Sequence, residues 1–244
     1  MKELDLAIKT AKGAVDLINS KFSTNIGVKS QISRDIKTQA DYETNDYIIK
    51  RLSKTGINII SEENFSQKFN LNDNQWIIDP IDGTFNLFRR FPINAVSISL
   101  WDQGIPILGV INSISTNDIY YACINGGAYK NNEKINVSSV NDISQAVLAT
   151  GFPSGLNLSD KKINKFINNI KKYKKIRMLG SASMMLAYVA NGSFDVYQED
   201  DIFIWDVAAG LSIVSEAGGF YSIKNGSSEY KFRIKASNVL LKNK

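Results

Sequence analysis

The chain has 244 residues, 43% hydrophobic and 22% charged, which suits an ordinary globular protein with one large domain or two small ones sharing a core. Its net charge is +5, but residues 161–177 hold eight basic residues and no acid, and removing that +8 leaves −3 elsewhere, so nucleic acid is not an expected partner. The absence of histidine excludes a Ser-His-Asp triad and most zinc sites, and the single Cys123 excludes an internal disulfide.

Leu4, Ile8, Ala11, Val15, Ile18 and Phe22 recur at steps of four and three and predict an amphipathic helix of about five turns. Residues 23–36 are polar and read as a loop, placed where it could fold over a site as a lid. A second helix follows to about Ser53 and is ended by Gly56. Ile57 to Ser61 is a strand that delivers Glu62, and residues 64–75 are a polar connector.

Phe85 to Arg90 is a short helix. Antiparallel strands are expected at Asn94–Trp101, Pro106–Ser113, Asp118–Ile124 and near Ala128–Lys130. Beyond about Asp142 strands and helices alternate. The strands are Ala146–Thr150, Ile176–Leu179 and Phe194–Gln198, with Gly219–Ile223 and Val239–Leu241 closing the sheet. The helices are Asp160–Lys172, an amphipathic one with a solvated lysine face, then Ser181–Asn191 and Ile204–Ala217. A meander followed by alternation predicts two sub-domains, 1–138 and 139–244. No run of about 18 apolar residues exists and the first residues lack a signal-peptide block, so no membrane span is expected and the cytoplasm is the expected compartment.

The most informative stretch is Trp76-Ile77-Ile78-Asp79-Pro80-Ile81-Asp82-Gly83-Thr84. An apolar strand runs into two carboxylates three residues apart. Pro80 is expected to stop the ladder and fix a tight turn, with both carboxylates facing one space. Carboxylates forced together repel unless a cation lies between them, and the Gly83-Thr84 amides can receive an anion. A cation and an anion at one turn point to metal-assisted phosphate chemistry. Two further stretches add acids: Ile57–Ser61 leading to Glu62 and Glu63, and Trp205-Asp206-Val207-Ala208-Ala209-Gly210 at the start of a small-residue helix. Other readings of these acids stay open here: a solvated loop for Glu62 and Glu63, a helix N-cap for Asp206 or Asp41, and close packing for Gly180.

In this order the three stretches resemble the inositol monophosphatase family of metal-dependent, lithium-sensitive phosphatases, over about Thr38 to Gly219. The resemblance implies an α+β fold, a layered α-β-α-β-α sandwich with the site between two sheets, and a homodimer. It implies two or three Mg²⁺ per site, with Mn²⁺ as an alternative. Asp79 would bridge two cations. Glu62 and the Ile81 carbonyl would complete the first site, and Asp82 and Asp206 the second. Thr84, oriented by Asp41, would position the attacking water. Gly83, Gly180, Ser181 and Ala182 would meet the substrate, with Glu199 accepting its hydroxyls. Lys37 falls where the family helps hold a third, loosely bound cation; if its ammonium points inward, it partly replaces that cation and weakens metal or lithium sensitivity.

The implied activity is hydrolysis of inositol 1-phosphate or a similar polyol or sugar monophosphate. Rival activities on the same fold are a 3′(2′),5′-bisphosphate nucleotidase, a fructose-1,6-bisphosphatase and a histidinol-phosphatase. A rival of another class is a regulatory protein that binds the transcription machinery.

Overall fold

The computed structural model describes residues 1–22, 27–32, 35–65, 68–152 and 159–243. The chain begins with helix α1 (Lys2–Lys21), the strand pair β1 (Val28–Ile32) and β2 (Asp35–Thr38), and helix α2 (Gln39–Leu52). A seven-stranded sheet follows: β3 (Asn58–Ser61), β4 (Gln75–Asp82), β5 (Ala95–Asp102), β6 (Ile105–Ser113), β7 (Ile119–Cys123), β8 (Gly127–Lys130) and β9 (Glu133–Ile135). Its neighbours follow chain order, with the short helix α3 (Thr84–Phe88) between β4 and β5.

The remaining elements are β10 (Val147–Ala149), α4 (Asp160–Ile170), β11 (Lys175–Arg177), α5 (Ala182–Ala190), β12 (Val196–Phe203), α6 (Ile204–Glu216), β13 (Gly219–Asn225) and β14 (Lys231–Asn238). Their strands make a five-stranded sheet in the order β11-β10-β12-β14-β13.

Strand alternation sorts the core into layers. On β4, Trp76 and Ile78 pack with Ala7, Val15 and Ile18 of α1 and Ile48 of α2, whereas Ile77 faces the opposite way into a cluster with α5 and α6. That second cluster also takes Tyr197 of β12 and Ile234 of β14, so α5 and α6 fill the space between the two sheets. On the far face of the smaller sheet, Leu148 and Val196 pack with Tyr173, Ile170 and Ile176. The result is the α-β-α-β-α sandwich. Among the described residues, no helix is long and apolar enough to cross a membrane.

Three expectations need correction. The polar stretch 23–36 contains strand β1 and the first half of β2, paired antiparallel with Gln31 opposite Ile36, and Gln39 N donates to Gly27 O at 2.7 Å at the base. A two-stranded ribbon held by main-chain bonds need not imprint an alternating pattern on the sequence. Residues 23–26 and 33–34 of that stretch lie outside the described residues.

The last strand is β14, in the interior of the smaller sheet. Val239–Leu241 is instead a 3₁₀ turn, capped by Asn238, whose Oδ1 accepts from Leu241 N at 3.0 Å. In β14 the buried Phe232, Ile234 and Ala236 alternate with Lys231, Arg233 and Lys235, a period-two signal that the apolar Val-Leu-Leu run masked.

Pro80 does not end β4 either. The strand continues to Asp82, and all eight of its residues are buried.

Candidate active site

The β4 ladder accommodates Pro80 by a bulge. Asp79 pairs with Ser97 and Asp82 with Ala95, so three steps on β4 oppose two on β5. In a regular strand, residues three apart point to opposite faces. The inserted residue puts Asp79 and Asp82 on the same face, that of Ile77, while Ile81 stays in the α1–α2 core. Asp79 Oδ1 accepts from Ile81 N at 3.0 Å, across the bulge.

Two other elements converge here. β3 runs parallel to β4, and just past its end Glu62 N donates to Ile78 O at 3.3 Å, which brings Glu62 level with Asp79. Asp206 lies in the first turn of α6. Trp205 before it is buried against Phe65, Phe203 and Tyr230, with ring centroids 5.0, 4.7 and 5.8 Å away, and this aromatic cluster fixes the start of the helix. One carboxylate oxygen from each of Glu62, Asp79 and Asp206 lies within 4.8 Å of the others.

These acids are costly to ionise together. Burial, then the charges of Glu62, Asp82 and Asp206, hold the Asp79 carboxyl well above the usual carboxylate range. Burial and the charges of Asp82 and Glu62 do the same to Asp206. Burial lifts Glu62 to about 7 against the opposing pull of Lys37. Desolvated carboxylates held within reach of one another, with no histidine or thiolate beside them, fit a hard divalent cation that prefers oxygen ligands.

Asp82 stands beside this group with different partners. Its Oδ2 accepts from Ser181 Oγ at 2.7 Å, from Ser183 N at 2.7 Å and from Ser183 Oγ. Burial raises its carboxyl, and these donors pull against the rise. The Gly180-Ser181-Ala182 turn therefore holds Asp82 directly. Ser181 is the N-cap of α5, and Ala182 is its buried first residue. Ser183 was not singled out from the sequence, although a serine in the otherwise apolar run of α5 is a signal.

Gly83 precedes α3 with φ 86°, and a Cβ there would lie 3.0 Å from Ile93 O and 3.2 Å from Gly180 O. Asn86, also missed, ties α3 to the facing turn: its Nδ2 lies 2.7 Å from both Leu179 O and Ile93 O.

Thr84 Oγ1 lies 2.9 Å from Asp41 Oδ1 and 2.9 Å from Ile81 O. The N-cap of α2 is Thr38 rather than Asp41. Asp41 closes the capping box, its Oδ2 accepting from Thr38 N and Thr38 Oγ1 at 2.6 Å each. Burial raises the Asp41 carboxyl, and the Thr38 and Thr84 bonds oppose that rise.

Glu199 is buried on β12, and its Oε2 accepts from Tyr197 Oη at 2.9 Å. Burial raises it to about 7. Lys37 points inward, with Nζ 3.1 Å from Glu62 Oε1 and 2.5 Å from Glu63 Oε1.

The profile of the inositol monophosphatase family matches residues 2–244. This chain belongs to that family. The fructose-1,6-bisphosphatase/inositol-1-monophosphatase of Thermotoga maritima is 34% identical over 95% of this chain and 89% of its own. The Nus factor SuhB of Pasteurella multocida is 32% identical over 93% of this chain and 87% of its own. Among solved structures, the extragenic suppressor protein suhB of Bartonella henselae superposes with a TM-score of 0.87 at 30% identity, covering 99% of this chain and 95% of that one. Fold and family are thus established together, whereas the relatives' names range from sugar and inositol phosphatases to a Nus factor.

Proposed function

We propose that this family member is a Mg²⁺-dependent phosphomonoesterase acting on a polyol monophosphate such as inositol 1-phosphate. The observation that carries this reading is the convergence of Glu62, Asp79 and Asp206 within 4.8 Å, with Asp82 beside them. These residues, with the Ile81 carbonyl, would hold the divalent cations. A bound divalent cation supplies Lewis acidity for a phosphoryl oxygen and for water.

The chain's own residues do the rest. Asp41 accepts the Thr84 hydroxyl proton at 2.9 Å, which leaves the Thr84 oxygen lone pairs to accept a hydrogen bond from the attacking water and orient it. Asp41 is in turn fixed by its two bonds to Thr38. Ser181 and Ser183 hold Asp82 in one orientation. Glu199 commits one oxygen to Tyr197 and has the other to accept a substrate hydroxyl. A carboxylate there also disfavours a second phosphate on the substrate.

The test is phosphate release from inositol 1-phosphate, fructose 1,6-bisphosphate and adenosine 3′,5′-bisphosphate, with Mg²⁺ and with EDTA. We expect Mg²⁺-dependent turnover and the highest kcat/KM for inositol 1-phosphate. A higher value for the nucleotide would replace this reading with a nucleotidase. The name of the Pasteurella relative favours a second reading, a regulatory role in transcription, and absence of turnover on all three substrates would turn attention to it.

A further inference from the structure

Tyr197 and Glu199 lie two residues apart on β12 and so share the face that looks onto α5 and α6. Both are buried. The charge of Asp82 reaches Glu199, and that of Glu199 reaches Asp206, so its carboxylate belongs to the same chamber as the acidic cluster. The backbone of Tyr197 is held from both sides, by Ala149 of β10 and Ala236 of β14. Its hydroxyl therefore donates to Glu199 Oε2, at 2.9 Å, from a fixed point.

Gly151 is the second neighbour of this carboxylate. Ala149 is level with Tyr197 in the parallel β10–β12 pair, so Gly151, two residues on, comes alongside Glu199. A Cβ at position 151 would stand 2.8 Å from Oε1, 2.8 Å from Oε2 and 3.1 Å from Cδ of Glu199. Equal distances to the two oxygens, both shorter than that to the carbon, put this point in front of the carboxylate and between its oxygens. Real Cβ atoms do not come so close, so the bare Cα of Gly151 is what lets Glu199 point this way. The backbone does not itself call for glycine, because φ at Gly151 lies outside the left-handed region. The requirement is for space, and the group that fills the space is the end of a flexible side chain.

We propose that Gly151 is a specificity-determining residue that acts through Glu199. The missing Cβ and the Tyr197 hydroxyl together fix the carboxylate, with Oε2 committed to Tyr197 and Oε1 presented to a substrate hydroxyl. A side chain at position 151 turns the carboxylate aside, which weakens recognition of polyols and leaves the phosphate chemistry in place. Gly151 and Tyr197 are positioning residues, since both act by aiming Glu199. This rests on the reading of Glu199 as the acceptor of substrate hydroxyls in a phosphomonoesterase.

The experiment measures kcat and KM in Mg²⁺ for inositol 1-phosphate and for phenyl phosphate, which carries the phosphate ester without aliphatic hydroxyls. The proteins are wild type, Gly151→Ala, Glu199→Ala, the double variant of these two, and Tyr197→Phe. Gly151→Ala should lower the ratio of kcat/KM for inositol 1-phosphate over phenyl phosphate by about tenfold, mainly through KM, as expected for one misdirected hydrogen bond to a charged group. In the Glu199→Ala background the same change should alter the ratio by less than about twofold, because the Cβ enters space that the carboxylate has left. Tyr197→Phe keeps the ring and should lower the ratio by about threefold. An unchanged ratio in Gly151→Ala, or an equal fall in both backgrounds, overturns the role of Gly151 and leaves the phosphatase reading standing. A Gly151→Ala protein that does not fold also overturns it, since only the end of one side chain should be displaced. An unchanged ratio in Tyr197→Phe removes the hydroxyl from the arrangement. An unchanged ratio in Glu199→Ala overturns the reading of Glu199 itself, and absence of turnover by wild type overturns the phosphomonoesterase; the role of Gly151 falls with either.

Discussion

β4 and β12 carry the same irregularity, one residue inserted against a neighbouring strand, and each places it beside a carboxylate. On β4 the insertion falls between Asp79 and Asp82; on β12 it falls between Glu199 and Ile202. The surroundings differ. The β4 bulge is buried throughout, paired with β5 and backed by the α1–α2 core on the Ile81 face. The β12 bulge is half-buried and contains Asp201 at φ 67°. It is held by an ion pair, Arg233 Nε to Asp200 at 2.9 Å, and by hydrogen bonds from Ser227 N and Oγ to Asp201 at 2.7 and 2.8 Å. Packing fixes the strand that carries the first carboxylate pair, while ties near the surface, each worth little, shape the strand around Glu199. The segment that carries Asp79 and Asp82 is built to stay in place. The strand around Glu199 can be altered without disturbing a core.

The strongest way to break this comparison is Asp82→Asn. With the fold intact by circular dichroism, activity at low Mg²⁺ should fall on the order of a hundredfold or more, as the loss of one charged ligand implies. Activity within a few-fold of wild type would show that the rigid side is not the catalytic side.

Metal removal comes next. Cation binding to the folded cluster should stabilise the protein by about 2.7 kcal/mol at roughly 100 times Kd. Coincident melting curves with EDTA and with millimolar Mg²⁺ would remove the reason for burying these acids together.

Glu199→Gln tests the adjustable side. The preference for inositol 1-phosphate over adenosine 3′,5′-bisphosphate should shrink by about tenfold, with less effect on catalysis than Asp82→Asn has. An unchanged ratio would take Glu199 out of the specificity argument. The same variant has a pH signature. The folded Glu199 carboxyl titrates at about 7 against an ordinary 4.5, so the fold holds this proton more tightly than the unfolded chain does. Its contribution to stability is complete below 4.5 and is lost as pH rises through 7. Denaturation at pH 5 and pH 7 in EDTA should therefore show a smaller drop for Glu199→Gln than for wild type, by about 1–3 kcal/mol.

The smallest effect is expected for Asp201→Ala. A left-handed alanine and two lost bonds to Ser227 should cost about 1–2 kcal/mol of stability by urea denaturation. A much larger cost would mean that the β12 bulge is as deeply supported as the β4 one.

The two bulges also explain what could be read in advance. The D-P-I-D-G-T run advertised its carboxylates because proline and glycine are rare punctuation in a buried strand, although the same proline led to the expectation of a turn in place of a continuing ladder. Nothing in Glu199-Asp200-Asp201 distinguishes an inserted residue from a polar strand end, and β12 runs to Phe203 where Gln198 was the expected limit. The donors on Asp82 were not legible as such. Ser181 was singled out for the substrate rather than for Asp82, and Ser183 and Asn86 act across about a hundred residues of chain, on Asp82 and Leu179 respectively; local pattern carries no record of such contacts. The inward aim of Lys37 was likewise a matter of tertiary placement.

Asp41 takes part in two structures at once, the first turn of α2 and the hold on Thr84. Fraying of that turn then also loosens Thr84, because one carboxylate holds both the Thr38 amide and the threonine hydroxyl. Opening of that helix end, an event seen by amide hydrogen exchange at Thr38, becomes a count of the molecules in which Thr84 is momentarily released.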